Sequence, residues 1–526
     1  MGPLTMRSLL LLSDFILILQ AACQTTSVVS TTSGLLYGTE LDGVISFKGV
    51  RFGEAPTGQL RWAPPVPFVS NQTQNATVLP PSCLQQFPFA TSAFTQFLFN
   101  DPPPASENED CLFLNVWAPS ANNTTEKKPV LFWIFGGGFT FGTGSLLEYD
   151  GTSLAANQDI VVVTVNYRTN IFGFPSSADL PIAQNNLGLL DQELALEWVQ
   201  SNIAQFGGDP DKVTIMGQSA GAVSVGLAIV RDVLNTPFRA GIMLSGAPTS
   251  TLPTPDYSSF GAFATAMGCS QPPGAARLHC LKQVPASTIQ NFTNGPRSHS
   301  FGRPVVDNVT LFADPLERIR SNATAQVPII LGNLENDGTS FTVGMTNLTA
   351  FLEGLIPGKS ISSDLVRTLY PGQNDSFVIA EADRDFQFRC PDELWSAALT
   401  GAGVSSVFRY TYGAVFANLE KFPGAGAWHS SELEPLFGTV NRSTATLAEV
   451  TWSSTFQTAI ANFVKDPNTS PAINWPKYIP GPPAKTFAKL AYNGNVEPDN
   501  FVDPVASASL DGPCNALWDK FLNFTA

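Results

Sequence analysis

Apolar residues along this chain fall mostly into short, dense runs. Val130 to Phe135, Ile160 to Tyr167, Val213 to Met216, Gly241 to Leu244, Val327 to Leu331 and Val407 to Tyr412 are rich in Val, Ile and Phe, with little polar alternation. Runs of that kind predict strands covered on both faces. Between them, Leu187 to Gln205 sets Leu190, Leu194 and Trp198 on one face at four-residue spacing and ends at Gly207-Gly208, which predicts a helix. Strands alternating with helices predict an α/β fold: a large, mostly parallel central sheet with helices on both faces. Asn71 to Thr77 and Pro119 to Lys128 hold little apolar material and predict exposed loops. No repeat is visible, and no linker divides the chain.

The first apolar run differs. Arg7 precedes Ser8 to Leu19, Asp14 interrupts that run, and Ala21, Ala22 and Cys23 follow it. A basic start, an apolar centre and small residues at the end make a signal-peptide layout. Cleavage is expected near Cys23–Gln24, which gives a leader of residues 1–23 and one domain over 24–526. The run is too short and interrupted for a membrane span. No later segment predicts a transmembrane anchor, and Phe521 to Ala526 is not a GPI tail.

Composition narrows the function. The chain has 526 residues, 44% of them hydrophobic, and a net charge of −15. A nucleic acid is therefore a poor partner, since phosphate binding needs clustered Lys and Arg. Export makes disulfides plausible. Of seven cysteines, Cys23 leaves with the leader, and the other six allow 15 pairings. There is no C-x-x-C and no His/Asp/Glu cluster with ligand spacing, so no metal is expected. Asn-x-Ser/Thr sequons recur from Asn71 to Asn523, two of them at Asn122 and Asn123, and predict N-linked glycans.

The strongest chemical signal is Gly217-Gln218-Ser219-Ala220-Gly221, between the strand run Val213 to Met216 and a helix-compatible stretch, Ala220 to Ile229. A strand, a sharp glycine-flanked turn and a helix are what a nucleophile elbow requires. Upstream, Trp133-Ile134-Phe135 runs into Gly136-Gly137-Gly138-Phe139. The N–H groups of Gly137, Gly138 and Ala220 would form an oxyanion hole. A serine of this kind needs a base, and the chain order in such elbows is Ser, then Asp or Glu, then His. Of the three histidines, His279 reads as a loop residue beside Cys280 and His299 sits in a polar stretch. Only His429 lies beyond a late strand. The acid should follow Val327 to Leu331, where Glu335 and Asp337 both qualify.

These residues resemble the type-B carboxylesterase family, which includes cholinesterases, animal carboxylesterases and fungal lipases. Phe206-Gly207-Gly208-Asp209-Pro210 through Gly221 is similar to its serine signature, and Glu109-Asp110-Cys111-Leu112-Phe113-Leu114-Asn115-Val116 to its second. Gly49 to Pro65, Asn166-Tyr167-Arg168 and Leu189-Leu190-Asp191-Gln192 extend the resemblance over nearly all of the mature chain. It implies the α/β-hydrolase fold. It assigns the acid, usually Glu, to Asp337 before Gly338-Thr339, one methylene shorter, so that the backbone must approach or a water must bridge. It gives Ser245 a supporting place behind the acid, and Arg61–Glu109 and Arg168–Asp191 as structural ion pairs. It implies the disulfides Cys83–Cys111 and Cys269–Cys280, leaving Cys390–Cys514. The first of these closes a loop that borders the gorge in the family and forms a lid in its lipases. Here that loop carries Phe87, Phe89, Phe94, Phe97 and Phe99, free either to line an acyl pocket or to pack in the core. Gln218 stands where cholinesterases have Glu, and no Trp lies between Cys83 and Cys111, which argues against choline esters.

The expectation is a secreted serine carboxylic-ester hydrolase with the triad Ser219, His429 and Asp337, an acyl-enzyme intermediate, no cofactor, and a small-molecule or lipid ester as substrate. The alternatives are a lipase acting on long-chain acylglycerols or sterol esters and, from another class, a non-catalytic adhesion protein.

Overall fold

The computed structural model describes residues 25–120, 126–231, 236–248, 257–296, 301–372, 374–481 and 484–522. The predicted leader, His299 and the sequons at Asn122, Asn123 and Asn523 lie outside them. A 13-stranded sheet runs through the molecule. Its strands are β1 (Thr25–Thr31), β2 (Gly34–Leu41), β3 (Val44–Arg51), β4 (Thr73–Asn75), β5 (Phe113–Pro119), β6 (Lys128–Ile134) and β7 (Val161–Val165), followed by β8 (Gly208–Gln218), β9 (Ala240–Leu244), β10 (Ile329–Leu334), β11 (Val407–Tyr412), β12 (Phe487–Leu490) and β13 (Val502–Val505). The spatial order is β1-β2-β3-β5-β7-β6-β8-β9-β10-β11-β12-β13, with β4 beside β2.

From β7 to β12 every neighbouring pair is parallel, while β1-β2-β3-β5-β7 and β12-β13 are antiparallel. The predicted apolar runs are the parallel centre. All five residues of β7 and all five of β9 are buried, so both faces of the sheet are covered there. The outer strands alternate with solvent and carry many polar residues, which is why their runs were not legible as core. Thr73 to Asn75, expected in a loop, instead pairs Leu35 with Thr73 and Tyr37 with Asn75. At a sheet edge one polar face can stay in water, so no apolar alternation marked it.

The predicted helix spans Leu187–Asn202, and a tighter turn, Ile203–Phe206, ends it at Gly207, whose φ of 80° is left-handed. His279 is not in a loop. It lies in the helix Ala275–Lys282, which buries Arg277 and Leu281 and which the Cys269–Cys280 disulfide staples to the preceding segment. The other two disulfides join Cys83 to Cys111 and Cys390 to Cys514. Arg61 grips Glu109 with Nε at 2.5 Å and Nη2 at 2.7 Å, and Arg168 grips Asp191 with Nε at 2.8 Å and Nη2 at 2.7 Å. Such planar bidentate pairs fix orientation as well as charge. Among the described residues no helix is long and apolar enough to cross a membrane.

Candidate active site

The sheet delivers four loops to one place, all from the carboxyl ends of parallel strands, near the point where strand order reverses around β6, β7 and β8. β8 ends at Gln218, and the helix Ala220–Arg231 begins directly after Ser219. Ser219 has a φ of 56°, a left-handed backbone that an L-residue adopts at a cost of order 1–3 kcal/mol. Its N–H is bonded to the Leu244 carbonyl at 2.8 Å, which ties the turn to β9. A Cβ on Gly221 would sit 2.0 Å from the Ile134 carbonyl oxygen, and one on Gly217 would sit 2.3 Å from the Gly221 backbone. The elbow closes only because both positions are glycine.

β6 leads into the glycine loop, where Gly137 and Gly138 have φ of 109° and 58°. Gly136 lies against the elbow: a Cβ there would meet the Ser219 Cβ at 2.9 Å. Ala220 opens its helix, so its N–H has no acceptor within that helix.

β10 leads to Asp337 and β11 to His429. Asp337 is fully buried, with Oδ1 2.8 Å from His429 Nδ1 and Oδ2 accepting from Ser245 Oγ at 3.0 Å and from the Leu334 N–H at 2.6 Å. The contact to His429 is direct. The shorter side chain reaches because the two loops are laced together. The Asn336 N–H donates to the Ala427 carbonyl, the Ala427 N–H returns a bond to Asn336 Oδ1, both at 3.0 Å, and Asn336 and Trp428 form a parallel bridge.

Glu335 turns away. Arg384 Nη1 binds its carbonyl at 2.9 Å, and its carboxylate meets Arg389 at 3.2 Å and the Tyr492 hydroxyl. Burial alone would raise this carboxyl, but Arg389, Arg384 and Tyr492 together hold it below the usual glutamate value. The acids nearest Asp337 behave in the opposite way. Burial, reinforced by the Asp337 charge, pushes Glu432 well up. It also pushes Asp383 up to about 7 against a hydrogen bond from Gln387, with Asp337 adding to the rise.

At the other imidazole nitrogen, the Gln218 side-chain amide donates to His429 Nε2 at 3.0 Å. The Ser219 hydroxyl is not bonded to His429 in this state. Three phenylalanines surround the ring, with centroids at 4.8 Å (Phe388), 5.0 Å (Phe341) and 6.2 Å (Phe99). The phenylalanines of the Cys83–Cys111 loop divide. Phe87 and Phe99 stack on Phe141 at 5.0 and 6.2 Å beside the site, Phe94 packs against Phe422, and Phe89 and Phe97 are exposed.

The structure thus joins His429 to Asp337 and Gln218, joins Asp337 to Ser245 and sets Gly136 against Ser219, with Gly137, Gly138 and Ala220 adjoining these in the chain, and it places His279 in the helix Ala275–Lys282. Sequence reading missed Phe341, Phe388, Asn336 and the Gln218–His429 contact. Phe341, four residues past Asp337, could have been suspected. Phe388 lies on a separate segment, and only the fold brings it to the ring.

The model of the Carboxylesterase family matches residues 25–376. Among curated proteins, a chlorogenic acid esterase of Aspergillus niger is 33% identical over 84% of this chain and 83% of its own length. A para-nitrobenzyl esterase of Bacillus subtilis is 32% identical over 86% of this chain and 93% of its own. A secreted lipase of Botryotinia fuckeliana is 34% identical over 92% of each. With the sheet and the elbow described above, these similarities place the chain in the carboxylesterase family, as a carboxylic ester hydrolase of the α/β-hydrolase fold.

Proposed function

We propose that the chain is a secreted serine hydrolase that cleaves carboxylic esters through Ser219, His429 and Asp337. The observation that carries this reading is the buried 2.8 Å contact between Asp337 and His429, set beside an elbow that holds Ser219 at a φ of 56°. Asp337 keeps the imidazole proton on Nδ1 and leaves the Nε2 lone pair outward. In the resting arrangement Gln218 occupies that lone pair. Rotation of the Ser219 side chain displaces the amide, and His429 then accepts the serine proton as Oγ attacks the ester carbonyl. The N–H groups of Gly137, Gly138 and Ala220 receive the oxyanion. His429 returns the proton to the leaving alcohol, and water repeats the sequence on the acyl-serine.

Export is part of the proposal: a leader over 1–23, followed by one domain over 24–526. Three disulfides support it, as does the exposure of every described sequon asparagine from Asn71 to Asn468. Those asparagines are the expected glycan sites.

The test is covalent labelling. An organophosphate should modify Ser219 alone, and Ser219→Ala should lower kcat by ~10³-fold or more, since triad members act as a unit. Labelling elsewhere, with activity intact in the variant, would refute the assignment. No labelling and no turnover would favour the adhesion-protein alternative.

A second reading is favoured by one surface observation. Phe341, whose ring lies 5.0 Å from that of His429, is 40% exposed, and Val343 and Met345 just beyond it are 50% and 43% exposed. An apolar rim at the mouth of a site suits a lipid surface. A jump in rate once a long-chain ester exceeds its solubility would make the chain a lipase.

A further inference from the structure

The sheet ends at β1, and one face of β1, β2 and β4 turns outward there. Leu36 on β2 and Ala76 just past β4 are buried in the core. Side chains alternate along a strand, so Tyr37 and Asn75, next to them, face the solvent. The register sets Val28 of β1 opposite Tyr37, and Asn75 of β4 beside Tyr37 on its other flank. The Ala76 N–H donates to the Tyr37 carbonyl at 2.8 Å and fixes that register. Residues opposite one another on paired strands share a face. Val28, Tyr37 and Asn75 therefore form one outward row across three strands.

Two members of this row are apolar and meet water: Val28 is 47% exposed and Tyr37 is 37% exposed. Ser30, Leu35 and Thr73, in the row beside it, carry no charge either. An uncharged face next to an open sheet edge invites association unless something covers it. The third member of the row supplies a cover. Asn75-Ala76-Thr77 is a sequon, and Asn75 is exposed. Neighbouring strands lie about 4.8 Å apart, close to the width of one sugar ring. A sugar joined to Asn75 is thus within reach of the Tyr37 ring, with Val28 beyond it.

We propose that Asn75 carries an N-linked glycan whose innermost sugar lies over Tyr37 and Val28 and completes the folded surface there. The proposal rests on the export reading, since that route supplies the donor, an oligosaccharide on a lipid pyrophosphate. Asn75 Nδ2 bonds the anomeric carbon, the bond from that carbon to the pyrophosphate oxygen breaks, and the amide gives up one proton. The innermost N-acetylglucosamine has a face of C–H groups, which packs on the electron-rich face of an aromatic ring. Its hydroxyl groups stay in water. The glycan then does more than add solubility: it removes an apolar row from water without a second protein.

The experiment reads the exposure of Tyr37 directly. The full chain, with its own leader, is expressed in a yeast host that adds high-mannose glycans, and the product is exposed to hydroxyl radicals. Mass spectrometry gives the oxidation of Tyr37 relative to Phe89, which is 60% exposed on the Cys83–Cys111 loop. Endoglycosidase H trims each glycan to its innermost sugar. Tyr37 should be oxidised slowly in the parent and in the trimmed chain, and severalfold faster in Asn75→Gln. Thr77→Val removes the sequon but keeps Asn75, and should match Asn75→Gln, so the test survives if one variant does not fold. Equal oxidation of Tyr37 in parent and variants would overturn the proposal. Slow oxidation that becomes fast on trimming would also overturn it, because outer sugars would then be the cover. Glycans mapped to other sequons and none to Asn75 would overturn this proposal alone. No glycan on any asparagine would remove the export reading, and this proposal with it.

Discussion

At the residue scale, the distinctive feature of the proposed triad is an aspartate, Asp337, where the resemblance leads one to expect a glutamate. A missing methylene must be recovered, and here the backbone recovers it: Asp337 Oδ2 is held by the Leu334 N–H and Ser245, which leaves Oδ1 2.8 Å from the ring. There is no room for a bridging water and no slack for a longer side chain. Asp337→Glu should therefore lower kcat/KM, with the carboxylate overshooting Nδ1. Asp337→Asn should cost far more, on the order of the 10⁴-fold measured when a serine-protease triad loses its acid in this way. Glu335→Gln should leave turnover nearly unchanged and instead lower stability, because it weakens the pairing of Arg389 and Arg384. Measuring kcat/KM for the three variants side by side decides the matter, and a crippled Glu335→Gln would require the triad to be redrawn.

At the element scale, the loops after β10 and β11 come from parallel neighbours, so they leave the sheet side by side, and the Asn336 lacing turns that adjacency into a fixed distance. Gly426 makes the lacing possible. Its φ is 63°, and a Cβ there would lie 2.3 Å from Asn336 Oδ1. Gly426→Ala should push the Asn336 side chain off the Ala427 N–H and separate His429 from Asp337. The expected result is a drop in kcat with KM little changed, together with a lower melting temperature. An unchanged kcat in Gly426→Ala would show that the triad geometry is held by the strands alone. The Cys83–Cys111 closure works at the same scale, carrying Phe87 and Phe99 to the site while Phe89 and Phe97 stay outside.

At the scale of the whole molecule, burial of carboxyl groups sets the dependence on pH. Glu148 is pushed up to about 8, Asp383 and Glu393 to about 7, and Asp392 and Glu432 are also raised, burial being the main cause each time. Unfolded, these groups lose their protons near pH 4 to 4.5. Between that range and their folded values the native chain holds more protons than the unfolded one, so stability falls as pH rises. A tenfold difference in proton affinity between the folded and unfolded chain is worth about 1.4 kcal/mol. Glu335 and Asp375, held low, work the other way, but they are fewer than the raised groups. Thermal unfolding should therefore give a midpoint that declines steadily between about pH 5 and pH 8. A midpoint that climbs over this interval would contradict the assignment of these acids as buried and protonated.

Much of this protein was legible along the chain. Strands buried on both faces need uninterrupted Val, Ile and Phe, so the parallel centre announced itself, and the elbow did so because a strained turn tolerates only glycine two residues to either side of Ser219. Chain order and the scarcity of histidines then singled out His429. What composition and spacing left open were contacts between segments far apart in sequence. The choice between Glu335 and Asp337 turns on which way each side chain points from one short loop, and that is set by Arg384, Arg389 and Tyr492 pulling one carboxylate away and by Ser245 holding the other in place. The rings of Phe341 and Phe388 around His429 and the amide of Gln218 on Nε2 likewise exist only once the sheet has brought β6, β8, β10 and β11 into register. A one-dimensional pattern records which faces are apolar, but it does not record which partner a polar side chain meets, because that depends on distances of a few ångström that the packed strands alone establish.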